Sequence, residues 1–161
     1  MRWSDTSVKN WGRVYMRIIG EWLLDEDGVT RPILRAFVEA AEGTLIKEDF
    51  LIDTGADRTV FSTGLLDKLK LQTTARTPGV ALSGIGGHSS FVQLDTVLHL
   101  NREDGTPAKI RGQFAAFTDP AASDISILGR DVLNHFDLIL SRPRSEIFFL
   151  SGNHRYVVQQ A

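Results

Sequence analysis

The stretch Phe50-Leu51-Ile52-Asp53-Thr54-Gly55-Ala56-Asp57-Arg58-Thr59-Val60-Phe61 decides how the rest of the chain is read. An apolar run ends in an Asp and a Thr-Gly-Ala turn, and an apolar pair then resumes at Val60-Phe61. A carboxylate at the end of a buried strand is costly unless it is hydrogen-bonded or functional. Gly55 has no Cβ, so its N–H can approach that carboxylate closely. Thr54 brings a hydroxyl that both donates and accepts. Taken alone, Asp53-Thr54-Gly55 reads equally well as an ordinary β-turn with Asp as turn former.

Outward from this stretch the pattern is mostly β. Gly is frequent (14) and Pro scarce (5), and short apolar segments are punctuated by turn residues. Upstream, residues 13–24 read as a strand closed by Asp25-Glu26-Asp27-Gly28, a solvated acidic turn. Residues 33–40 and 44–52 form a hairpin around Ala41-Glu42-Gly43. Downstream, Leu65, Leu66 and Leu69 recur at helical spacing and predict a short helix over 62–71. Strands are expected at 78–82, 90–100, 109–117, 124–128, 136–141 and 146–150, with a last short one at 156–158. A one- or two-turn helix is expected over 130–135. Trp3, Trp11 and Trp22 all fall in the first 22 residues and are read as sealing a core edge.

Composition narrows the function. A chain of 161 residues suits one domain with a real core. Eighteen Lys and Arg against 20 Asp and Glu give a net charge of −2, too balanced for a surface that tracks nucleic-acid phosphates. No apolar run reaches the ~20 residues of a membrane helix. Met1-Arg2-Trp3-Ser4-Asp5 lacks a secretory apolar stretch, so a cytoplasmic location is expected. With no Cys, disulfides, thiol catalysis and thiolate metal sites are excluded. His88, His99, His135 and His154 show no metal-ligand spacing, and neither a P-loop nor a Gly-x-Ser-x-Gly elbow occurs. A phosphoryl-aspartate enzyme would need helices between parallel strands, against the strand density seen here.

Two further segments lift Asp53-Thr54-Gly55 above the ordinary turn. Ser83-Gly84-Ile85-Gly86-Gly87 is a glycine-rich hairpin tip with one apolar residue, suited to a mobile cover. Ser126-Ile127-Leu128-Gly129-Arg130-Asp131-Val132-Leu133 is an apolar strand, a Gly and a short helix. With these in order, the chain resembles the retropepsins, the retroviral-type aspartic proteases, over about residues 32–150. Leu51 to Asp57 matches the active-site loop, Gly84 to Gly87 the flap tip, and Ile127 to Arg130 the segment that supports the loop. The helix expected after the loop is closer to the cellular and bacterial relatives than to the smallest viral ones.

The resemblance implies an all-β fold, a closed or orthogonally packed barrel with one or two short helices. Residues 1–31 are then an N-terminal extension, adding a strand to the barrel or to a dimer interface, and 32–161 the protease domain. Aspartic proteolysis needs two facing carboxylates that share a proton and hold a water. The chain has one Asp-Thr-Gly and no Asp-Ser-Gly, so the second carboxylate is expected from an identical subunit across a two-fold axis. The expected function is a homodimeric aspartic endopeptidase acting on extended peptide or protein substrates, without cofactor or metal. Asp53, Thr54 and Gly55 are its catalytic loop, with Thr54 bonding to its mate across the axis. Asp57 is expected as a near-buried acid beside the substrate, paired with Arg130. Gly84 and Ile85 supply the flap, and Val60, Leu82, Ile85, Ile125 and Ile127 line the side-chain pockets. Gly129 and Arg130 give structural support. A hairpin over 146–160 is a candidate interface element. The alternative is a non-catalytic peptide-binding or dimerisation module on the same fold.

Overall fold

The computed structural model of the protein describes residues 2–4, 16–73, 82–84, 87–121, 124–151 and 157–159. In chain order these form β1 (Arg2–Ser4), β2 (Met16–Leu24), β3 (Thr30–Glu39), β4 (Leu45–Ile52), β5 (Val60–Phe61), α1 (Thr63–Leu69), β6 (Leu82–Gly84) and β7 (Gly87–Ser89). There follow β8 (Phe91–Asn101), β9 (Pro107–Phe117), β10 (Ser126–Leu128), α2 (Arg130–Leu133), β11 (Asp137–Ser141), β12 (Glu146–Ser151) and β13 (Val157–Gln159). The all-β expectation holds, with two short helices among the described residues.

Strand β3 closes the barrel. Its first half pairs with β2, from Leu24↔Thr30 to Glu21↔Ile33. Its second half takes β8 instead, at Phe37↔His99 and Val38↔Leu98. Its other edge pairs with β4 from Ile33↔Leu51 to Glu39↔Leu45. The cycle β3-β4-β10-β5-β9-β8 therefore returns to β3 as a closed six-stranded barrel, and β2, β12 and β11 extend the sheet outward. Closure leaves those six strands without a free edge over the paired stretch.

The core follows from strand alternation. Leu34, Ala36 and Val38 of β3 and Phe50 and Ile52 of β4 are buried, while Arg35 between them is exposed. Phe61 lies at the centre, edge-on to Phe50 and stacked on Phe114 at 5.3 Å. The chain before residue 32 is part of this core, since Ile18 is fully buried and β2 is sandwiched between β12 and β3. Half-buried Trp22 packs on the core with Arg142 over its ring, as expected for an aromatic at a core edge. Trp11 lies outside the described residues.

Several boundaries move for local reasons. The first helix starts one residue late because Ser62 is its N-cap, its Oγ accepting from the Leu65 N–H. It ends early because Lys70 turns left-handed at φ 51°. The second stops at Leu133, where the N–H groups of His135 and Phe136 turn back to Val132 and Leu133 in tighter i−3 bonds. Residues 78–81 lie outside the described residues, and the strand expected at 78–82 is seen from Leu82 to Gly84. The hairpin expected over 146–160 is not formed. β12 pairs with β11 and β2, and β13 pairs with β1, because the edges of β12 are already filled.

The acidic turn is as expected: Gly28 takes φ +79°, and Arg31 binds both Asp25 and Asp27. The Arg31 guanidinium, then the Val29 N–H, hold the Asp27 carboxyl at about 2, below its ordinary 3.8. A carboxyl depressed in the folded state stabilises at pH above its unfolded value and loses that contribution as pH falls through the folded one. The stability difference between wild type and Arg31→Ala, followed by urea melts, should therefore be constant above about pH 5 and shrink toward pH 2. In the same melts Phe61→Ala should cost about 3–5 kcal/mol, the range for emptying a buried aromatic site.

Candidate active site

β4 delivers Asp53 to the top of the barrel, where the strand ends. The parallel neighbour β10 meets β4 at Ser126↔Phe50, Ile127↔Leu51 and Leu128↔Ile52. One residue on, the Leu128 carbonyl accepts the Asp53 N–H at 3.1 Å. The side chain of Asp53 is partly exposed, and its Oδ1 accepts the Gly55 N–H at 2.8 Å. The Ala56 N–H returns to the Asp53 carbonyl and completes the turn. Thr54 and Gly55 are exposed at its tip.

Helix α2 holds this turn from behind. The first N–H groups of a helix have no partner within it. Here those of Arg130 and Asp131 donate to the carbonyls of Ala56 and Asp57, at 2.9 and 3.2 Å. The approach is possible only because residue 129 is glycine. A Cβ there would lie 2.3 Å from the Arg58 carbonyl carbon and 2.8 Å from the Thr59 nitrogen. Thr59, fully buried, ties the two segments together. Its Oγ1 accepts from the Gly129 N–H at 3.0 Å and donates to Asp131 Oδ1 at 2.7 Å, and its own N–H donates to the same oxygen at 2.8 Å.

Thr59 and Asp131 were not singled out from the sequence. The available signal was a hydroxyl residue at the mouth of an apolar strand and an acid in the first turn of a helix. Neither is distinctive until the two segments are known to touch.

The other expected residues are placed as follows. Arg130 Nη2 is paired with Asp57 Oδ1. Asp57 itself is not near-buried, since its side chain is 79% exposed. Its carbonyl faces α2 and its side chain leaves the loop on the solvent side, so the carboxylate keeps its hydration while pairing. Val60 lies in a closed cluster with Phe91, Ala115 and Phe117, with Ile127 packed against it. Ile125 lines a cavity of about 540 Å³ with Arg31, Lys47, Glu48, Asp49 and Asp124, a largely charged wall. Leu82 and Gly84 lie on β6, which pairs with β7 at Leu82↔Ser89 and Gly84↔Gly87. Ile85 lies outside the described residues.

His99 is buried on β8 with Nε2 3.2 Å from Glu39 Oε2. Among the described residues no group of three metal-ligating side chains converges, and no helix is long and apolar enough to cross a membrane.

The sequence profile of the aspartyl protease family matches residues 42–132, just over half of the chain, spanning Asp53 and Gly129. The chain belongs to the aspartyl protease family. The chain is also similar in part to three solved structures. A retropepsin-like aspartic protease from Rickettsia conorii is 21% identical, with 89% of this chain and 98% of that one covered and a TM-score of 0.51. The EIAV protease complexed with the inhibitor HBY-793 is 25% identical over 65% of this chain and 86% of that one, at a TM-score of 0.45. The retroviral protease-like domain of Ddi1 from Leishmania major is 18% identical over 73% and 93%, at 0.46. A search of curated proteins gives no match. The Rickettsia likeness is one of fold, and it is the barrel expected of an aspartyl protease.

Gly129→Ala should force the two segments apart. An inserted methyl of this kind costs about 1–3 kcal/mol. The urea midpoint should fall accordingly, whereas Gly64→Ala, in open space on helix α1, should hold or slightly raise it, since alanine favours a helix over glycine.

Proposed function

We propose that the chain is a homodimeric aspartic endopeptidase in which Asp53 of each subunit meets its mate across a two-fold axis. The observation that carries this is the set of main-chain bonds around Asp53. A partly exposed carboxylate is held at the end of a buried strand by the Gly55 N–H, and its own backbone is anchored to Leu128. A pure binding module has no need of a carboxylate fixed there.

One carboxylate cannot take a proton from water and give one to the substrate in the same step. Two facing carboxylates can, because like charges at close range hold one proton between them. The ionised member takes a proton from the bridging water, which attacks the scissile carbonyl. The protonated member donates to that carbonyl oxygen. The gem-diol intermediate then collapses, the C–N bond breaks, and the amine leaves with a proton from the pair. Thr54, exposed at the tip, bonds across the axis to its mate. Gly55 presents backbone groups to the peptide. The β6–β7 hairpin, with Gly84 and Ile85, covers the substrate, and Leu82 and Ile127 shape the apolar subsites, Val60 packing behind Ile127 while Ile125 faces the charged cavity. The peptide runs extended and adds its backbone to strand-like edges. Asp57 and Arg130 hold the wall of the loop.

The test is cleavage of an unfolded protein between pH 3 and 7, together with sedimentation to give the subunit count. The expected result is a dimer whose activity lies on the acidic side, where a coupled pair carries one proton. Asp53→Asn should retain the fold and lose about 10²–10⁴-fold in rate, the usual share of general acid–base catalysis. Peptide binding without cleavage by the wild type would favour the non-catalytic module. Equal cleavage by Asp53→Asn would sink the proposal.

A further inference from the structure

Glu48 is an acid on the wrong face of its strand. It shares the strand face of Phe50 and Ile52, the buried face of β4, and is itself half-buried, at the edge of the cavity that Lys47 and Asp49 also line. A carboxylate there needs donors. It has two: Oε1 accepts from Ser126 Oγ at 2.6 Å and from Ser62 Oγ at 3.1 Å. Both serines are buried, Ser126 fully. Each hydroxyl is also an acceptor. Ser126 Oγ takes the Ser62 N–H at 2.9 Å, and Ser62 Oγ takes the Leu65 N–H that it caps. A hydroxyl has one hydrogen to give. Having accepted a backbone N–H, each serine gives that hydrogen to the same carboxylate oxygen.

The three residues stand at the roots of the active-site loop. Glu48 is on the strand that runs into Asp53. Ser62 immediately follows β5, where the loop comes back. Ser126 opens β10, and two residues later the Leu128 carbonyl takes the Asp53 N–H. A displacement of Ser126 passes along a three-residue strand directly to Leu128 and Gly129. From this we infer that Glu48 is a positioning residue for Asp53, acting through Ser62 and Ser126. The inference rests on the proteolytic function proposed above. Glu48 lies five residues before Asp53 on the chain and acts through the two serines. Its effect is to fix the distance between the strand that delivers the carboxylate and the strand that anchors it.

Acceptor geometry is what this role requires, so Glu48→Gln and Glu48→Leu separate it from simple packing. Gln keeps an oxygen for both hydroxyls, and Leu leaves two buried hydroxyl hydrogens unpaired. In the full chain, with Asp53-dependent cleavage of a peptide as readout, Glu48→Leu should lower kcat about tenfold or more, the scale of a misplaced reacting group. KM should change by less than about twofold, and Glu48→Gln should stay within about twofold of wild type in both. Ser126→Ala should give part of the loss and add nothing to Glu48→Leu, since both break one network. Hydrogen exchange at the Asp53 amide should quicken in Glu48→Leu and Ser126→Ala and not in Glu48→Gln.

A folded Glu48→Leu with wild-type kcat overturns the inference, as does a Glu48→Gln that falls as far as Leu. If Glu48→Leu fails to fold, Ser126→Ala with wild-type kcat and wild-type exchange at Asp53 overturns it. No cleavage by the wild type overturns the proteolytic function, and the positioning role falls with it. Unchanged exchange in the variants removes the locking of the loop whatever the activity.

Discussion

Gly129 lies so close to the chain at Arg58 and Thr59 that no side chain fits between them, and this contact sets the height of the candidate active-site loop. Everything near Asp53 is referred to it. The glycine lets α2 dock with its unpaired N–H groups against the carbonyls of Ala56 and Asp57. The same docking brings Asp131 to Thr59. The strand that precedes the glycine, β10, is threaded between β4 and β5 and supplies the carbonyl that anchors Asp53. A bulkier residue would part the segments, and the bonds that define the loop would go together. These bonds are largely main-chain, which keeps the loop stiff while leaving its side chains outward.

Much of this was legible in the sequence, and the limit is physical. Two apolar segments around Ala41-Glu42-Gly43 marked the hairpin of β3 and β4, because the turn residues separate them. Leu65, Leu66 and Leu69 announced the first helix by their spacing, while the capping role of Ser62 emerged only in the fold. Asp53-Thr54-Gly55 is an ordinary turn by itself, and the loop and its support became readable only with Gly84 to Gly87 and Ile127 to Arg130 following in order. What escaped were pairings between distant segments. Nothing local in Glu146–Ser151 says that it pairs with β2 rather than folding back on its own continuation. The resemblance implied a near-buried Asp57 beside the substrate, yet a tight turn can aim a side chain outward while its carbonyl stays in the structure. Glu48 looked like one more polar residue in an amphipathic strand. Its role becomes visible only when Ser62 and Ser126 are brought to the same place.

Exposed charges contribute through register more than through energy. Arg35 faces Asp49 across β3 and β4, and it also reaches Glu21 on β2. Pairs this exposed are worth little to stability each. A slip of one residue between β3 and β4, however, would turn every side chain of one strand to the other face. It would set Arg35 opposite Glu48 or Phe50, and it would bring Lys47 and Asp49 toward the core in place of Glu48 and Phe50. The Arg35–Asp49 pair therefore favours the one alignment in which Glu48 meets the two serines. Surface electrostatics and the interior network select the same register, the agreement between levels that marks a sequence specifying one structure.

The chain is closed at the back and open at the front. Behind Asp53 lie a sealed barrel, a buried threonine and a docked helix. In front, Thr54, Gly55 and Asp57 are exposed. For the proposed dimer this division has a reason. Two identical carboxylates differ in role only through the proton they share, so neither can be tuned separately by its own surroundings. What the fold can control is their separation, and productive geometry tolerates errors of only about 0.5 Å. A symmetric site doubles any looseness, because an error in one loop is repeated in its mate. Rigid anchoring of a short exposed loop is the form of precision that symmetry demands, and the Gly129 contact, the Thr59–Asp131 bonds and the Glu48 network each add to it from a different side.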